Sequence, residues 1–293
     1  MASDDKKSET SVVDLKYIFL LPLIHLSISV GTGISCFIVA IIAEDVTFYI
    51  PLLSDFFSET GDIGAQRVIF IIGGIFMGIT AHQIMTLRYL LQQFYFSKDK
   101  YHWKILNTTC YFIGLFSITV LIIVIGFPAR TEVTTHTVAA AVFFVGILLY
   151  TCYDCFLNHH VVRTHELIGR KLRILQTVRI LLCIGQLLSC FMYLVIYPMA
   201  QEKWITNHEK RPAMKTPADE GFWIMAAACA FEWLSIITLV AYFSCFTFDF
   251  TSFHITLQAV PYSTKPPEDS SSKKSDSSKS SKSSKGSEDS SKK

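Results

Sequence analysis

Glu232 is a carboxylic acid inside an otherwise uncharged run from Gly221 to Phe248. It lies about 11 residues, or ~16 Å of helix rise, into that run. A charged side chain so deep in a membrane helix costs about 3 kcal/mol on insertion scales, so the acid must be protonated, hydrogen-bonded in a bundle, or facing water. Gln186, at a similar depth in the preceding apolar run, is a candidate partner. Two roles are open: a proton or ligand site, or a neutral structural glutamate. Acid–base work needs a second titratable group, and none shares this depth, which favours the structural role.

Cys152, Cys155 and His159 fall at spacings of three and seven, on one face of a helix. Zinc takes such ligands, but a closed site needs a second pair from elsewhere. No metal is therefore expected, and lipidation of Cys152, Cys155 or Cys245 suits these cysteines better. His25, His82 and His136 lie at different depths of their apolar runs and read as interhelical hydrogen-bonders rather than as a metal cluster. The chain shows no Ser/His/Asp grouping in a loop, no HExxH and no glycine loop that could cradle phosphate. No catalytic residue and no cofactor are expected.

The elements that position these residues follow from composition. Of 293 residues, 51% are apolar and 17% charged, against about 25% charged in soluble domains. Uncharged stretches run from Tyr17 to Ala43, Val68 to Leu87, Ile105 to Ala129, Val133 to Tyr153 and Ile180 to Gln201. The Glu232 run is the sixth. Each is long enough to cross a hydrocarbon core as a helix, which satisfies its own backbone donors and acceptors. The expected fold is an all-α membrane protein: a six-span transmembrane helical bundle over residues 17–257, after an N-terminal segment 1–16 and before a disordered C-terminal tail, 258–293. That tail is dominated by Ser and Lys and cannot bury enough apolar surface to offset chain entropy. Gly74 and Gly78 form a GxxxG in the second span, and Gly31, Gly33 and Ser35 give the first a small-residue face, both read as packing surfaces.

Lys and Arg near the spans number 11 on the face that carries the termini and 5 on the other. Both termini are therefore expected in the cytoplasm, with the acidic Glu44 to Gln66 connection on the far side. Asn107-Thr108-Thr109 matches a glycosylation sequon, but this topology places it at the cytoplasmic entrance of the third span.

Three separated segments are similar to one family. Ser58-Glu59-Thr60-Gly61, followed by Arg67 and Phe70, resembles the Ser-Asp-Thr-Gly loop of the damage-regulated autophagy modulator (DRAM) family, also called the Frag/DRAM/Sfk family; here Glu59 replaces the usual Asp. His136, with Ala139 to Ala141, Gly146 and Tyr150, resembles the segment that opens the family's fourth span. Glu232-Trp233, Tyr242-Phe243 and Asp249-Phe250 resemble the pattern that closes its sixth, and Arg88-Tyr89 also fits. The resemblance runs from about Tyr17 to Leu257. It implies six spans, no established catalytic activity, and promotion of autophagy from lysosomal or endosomal membranes. The alternatives it implies are a plasma-membrane adaptor for phosphoinositide synthesis, or a part in lipid remodelling as an enzyme or transporter. The Asn107 segment and the Ser-rich tail tilt the resemblance toward the transmembrane-150 type branch. Expected partners are membrane lipids and membrane or cytoplasmic proteins, not nucleic acid.

Overall fold

The computed structural model describes residues 12–53, 64–129, 131–164, 170–251 and 255–258. Its main compact unit, residues 15–255, contains helices α1 (Leu20–Ile42), α2 (Ala65–Tyr95), α3 (Tyr101–Gly126), α4 (Val133–Thr164), α5 (Arg170–Asn207), α6 (Phe222–Ser244) and the short α7 (Phe246–Phe250). Two short strands, β1 (Val12–Leu15) and β2 (Ile255–Gln258), pair with one another and belong mostly to a second unit. Among the described residues, six helices are long and apolar enough to cross a membrane, α7 continuing the sixth.

Several helices outrun the uncharged stretches. The fourth continues from Tyr153 through Asp154 to Thr164, and the fifth begins at Arg170 rather than Ile180. A charge ends an uncharged run, but it does not end a helix whose backbone bonds remain satisfied.

Consecutive helices are neighbours in space, so α1 to α6 form a ring that closes where α6 returns to α1. That closing seam is the most sparsely packed of the six. Apolar side chains cover the outside of the ring, and its interior combines an apolar core with most of the charged side chains of the spans. Phe76, Phe112, Phe116, Leu181 and Phe191 are exposed, whereas Arg88, Asp154, Arg179, Gln186 and Asp249 are buried. Lipid selects this arrangement, because it solvates apolar side chains and leaves polar ones to find partners within the bundle.

Close helix approach occurs at glycines other than those expected. A Cβ on Gly73 would lie 2.1 Å from Thr32 of α1, and one on Gly146 would lie 2.3 Å from Ser117 of α3. Gly74 does pack closely, against Ile125 at 2.5 Å, but Gly78, Gly31 and Gly33 have open space where a Cβ would stand. The small-residue face of the first span is therefore not a packing seam. Gly221 opens α6 at φ +80°, a left-handed backbone that glycine adopts without strain.

Candidate functional site

Three features share the ring: an ion network toward the end where α1 begins, a clasp at the opposite end, and an apolar cavity that reaches between them.

The network is centred on Arg88 of α2. Its Nε donates to Asp154 Oδ1 at 2.8 Å, Nη1 to Asp249 Oδ2 at 2.8 Å, and Nη2 to Asn158 Oδ1 at 2.6 Å. Arg179 of α5 donates to the same Asp249 oxygen at 2.5 Å and to the Cys245 carbonyl at 3.1 Å. Gln92 and the Tyr242 hydroxyl complete the shell of Asp154, each at 2.8 Å. Asn158 donates to Gln176, which in turn donates to the Cys155 carbonyl. Both guanidinium groups also sit over the Phe246 ring, 5.2 and 5.3 Å from its centroid, where the ring quadrupole attracts them. Two arginines and two aspartates balance in formal charge, and all four are at most 5% exposed. Helices α2, α4, α5, α6 and α7 are thereby tied together at one level.

At the other end, the connection after α1 folds back into the ring. Leu52 and Leu53 are buried, and Leu53 N–H donates to Glu232 Oε2 at 2.7 Å. The neighbouring Trp233 donates its indole N–H to the Pro51 carbonyl at 2.9 Å. Lys215, fully buried, donates to the Ile50 carbonyl at 2.7 Å, and Thr47 reaches the carbonyls of Ala213 and Lys215. Ile50 is held at φ +26°, a region that a β-branched residue rarely enters, so these bonds hold the loop in a strained form.

Glu232 therefore binds a loop backbone. Gln186, expected as its partner, instead accepts from Thr151 at 3.0 Å. Of His25, His82 and His136, only His25 bonds across helices, to Thr80 at 2.8 Å. His82 pairs with its own helix at Gly78, and His136 donates to the Phe127 carbonyl at 2.7 Å in the turn before α4. Cys152 lies 3.4 Å from Cys183, while Cys155 and Cys245 are buried, a poor placement for lipidation. Asn107 of the sequon is buried and donates to the Tyr89 carbonyl. Phe250 packs in the core beside Phe246. Ser58, Glu59, Thr60 and Gly61, with the rest of segment 54–63 of the acidic connection and residues 259–293 of the tail, lie outside the described residues.

The apolar cavity occupies about 1150 Å³ and is walled by α1, α2, α3, α4 and α6. Its interior is lined by side chains such as Met77, Ile118, Phe143 and Phe243, and Arg67, His136 and Glu232 also border it.

Sequence reasoning placed Arg88, Tyr242 and Asp249 at family positions but missed Asp154, Asn158, Gln176 and Arg179. A signal was present. Arg88/Gln92 and Asp154/Asn158 are i,i+4 pairs and Gln176/Arg179 an i,i+3 pair, each a polar stripe on one helix face.

A ring of six spanning helices, clamped by a buried Arg/Asp network and a backbone-binding Glu-Trp pair, defines a multi-pass membrane protein. Residues 17–253 match the Frag1/DRAM/Sfk1/Cwh43P N-terminal domain, and the chain belongs to that family. No curated protein and no solved structure matches it.

Proposed function

We propose that this chain is a non-catalytic regulator of autophagy and endolysosomal membranes that works through lipid and protein contacts, with both termini in the cytoplasm. The observation that carries the reading is how the buried ionisable groups are used. Arg88, Asp154, Arg179 and Asp249 bind one another, and Glu232 binds a loop backbone. These are architectural ties. The interior also holds an apolar cavity of about 1150 Å³, suited to a membrane component. The excess of Lys and Arg on the terminal face supports the orientation.

The test is location and flux. Protein tagged at its endogenous locus should sit on lysosomal or endosomal membranes, and its deletion should lower autophagic flux. Protein found only at the cell surface, with flux unchanged, would replace this reading with that of a plasma-membrane adaptor for phosphoinositide synthesis. A C-terminal tag should be open to cytoplasmic protease, and protection of that tag would reverse the orientation.

A further inference from the structure

Arg67 and Arg88 stand 21 residues apart on α2, about 31 Å of helix rise. That is close to the roughly 30 Å thickness of a hydrocarbon core. Met77 and Ala81, which line the cavity, lie between the two arginines, so the cavity sits at hydrocarbon depth, where the abundant small molecules are lipids. Its volume of about 1150 Å³ also exceeds the roughly 300–1,000 Å³ of common small-molecule sites.

The cavity is polar at one end. Arg67 Nη2 donates to the Gly126 carbonyl at 3.1 Å, and His136 Nδ1 to the carbonyl of the next residue, Phe127, at 2.7 Å. The two side chains thus converge on one turn between α3 and α4. Arg67 enters no ion pair among the described residues, and its remaining N–H groups form a fork suited to phosphate oxygens. The cavity also reaches the outside of the ring at its sparse seam. Val30 and Ile34 of α1 and Leu234 and Ile237 of α6 all line the cavity while being roughly half exposed.

We infer that this cavity binds a glycerophospholipid, admitted between α1 and α6, with its acyl chains in the apolar interior and its phosphate at Arg67 and His136. The inference rests on the reading above, that the protein acts through lipid contact, and gives that contact a site and a ligand class.

Gly33 supplies the test. It lines the cavity and has open space where a side chain would enter, whereas Gly31 has equal room but lies off the cavity. The full chain is purified in detergent, incubated with phosphatidylcholine vesicles and, separately, with cholesterol, and examined by native mass spectrometry. The unmodified protein should retain phosphatidylcholine. Gly33→Phe should retain about tenfold less and Gly31→Phe as much as the unmodified chain, while Arg67→Gln should lose phosphatidylcholine about tenfold without a change in cholesterol. Ala140→Leu fills the opposite wall and serves if Gly33→Phe does not fold. Equal phospholipid on the filled and unfilled proteins would overturn the inference, as would retention of cholesterol in place of phospholipid. Loss of lipid from Gly33→Phe with unchanged location and flux in cells would uphold the site and remove the regulatory reading; lost flux with lipid still bound would do the reverse.

Discussion

Glu232 and Leu53 are 179 residues apart in the chain, yet the carboxylate of one accepts the backbone N–H of the other at 2.7 Å, both within the buried interior. A loop amide taken out of water needs an acceptor, and α6 supplies it from one side chain. Glu232→Gln keeps an acceptor oxygen and should fold normally. Glu232→Leu removes it and should destabilise the protein by about 1–3 kcal/mol, the cost of a buried donor left unpaired. Thermal unfolding in detergent distinguishes the two. Normal folding of the Gln variant with loss of function would show instead that the acid itself is required.

The ion network predicts an order of damage. Removing one partner of a buried pair typically costs about 3–5 kcal/mol, because the other charge is left uncompensated. Asp249 serves two arginines through a single oxygen. Asp249→Leu should therefore be worse than Arg179→Met, and the double variant Arg179→Met/Asp249→Leu should recover part of the loss. Yield of folded protein in size-exclusion chromatography reads the series, and additive losses in the double variant would contradict the coupling.

The glycines give a prediction with opposite signs on neighbouring turns. Gly73→Ala drives a methyl into Thr32 and should cost about 1–3 kcal/mol by overpacking. Gly31→Ala meets nothing and should be neutral or stabilising by up to about 1 kcal/mol through helix propensity. Melting temperatures of the two variants, compared in the same detergent, check the contrast.

Asp219 lies in the connection between α5 and α6, outside the spans. Burial pushes its carboxyl up, but the Lys210 ammonium at 2.6 Å and the Thr216 N–H and hydroxyl outweigh that and hold it below its ordinary 3.8. A carboxyl lowered by folding contributes stability that is complete above its unfolded value and lost as pH falls through the folded one. The gap in melting temperature between the unmodified chain and Asp219→Asn should stay constant from neutral pH to about pH 5 and close only below about pH 4. A gap that closes by pH 6 would refute this.

Six spans were legible because a hydrocarbon layer demands long uncharged runs, and Glu232 stood out by breaking one. Asp154 and Arg179 were lost for the same reason. Each sits just past the edge of an uncharged run and reads as the start of a loop, and only the continuation of α4 and α5 into Thr164 and from Arg170 turns them inward. Their pairing depends on helix rotation, which an apolar run on all sides of a helix does not encode. The partner of Glu232 was illegible in another way, since a backbone N–H carries no residue type.

The ring order has a consequence for biosynthesis. Five of its six seams join helices adjacent in the chain, so each can zip shut as the second helix of the pair leaves the ribosome. The α1–α6 seam alone must wait for the last span. Until then the nascent protein is an open horseshoe, with Arg88 and Arg179 lacking Asp249, the Leu53 amide lacking its acceptor, and the apolar lining turned outward. A chain arrested before Phe222 cannot close the ring and so displays charge of the kind a folded chain conceals. Completion of the sixth span is thus the step at which this protein ceases to resemble a damaged one.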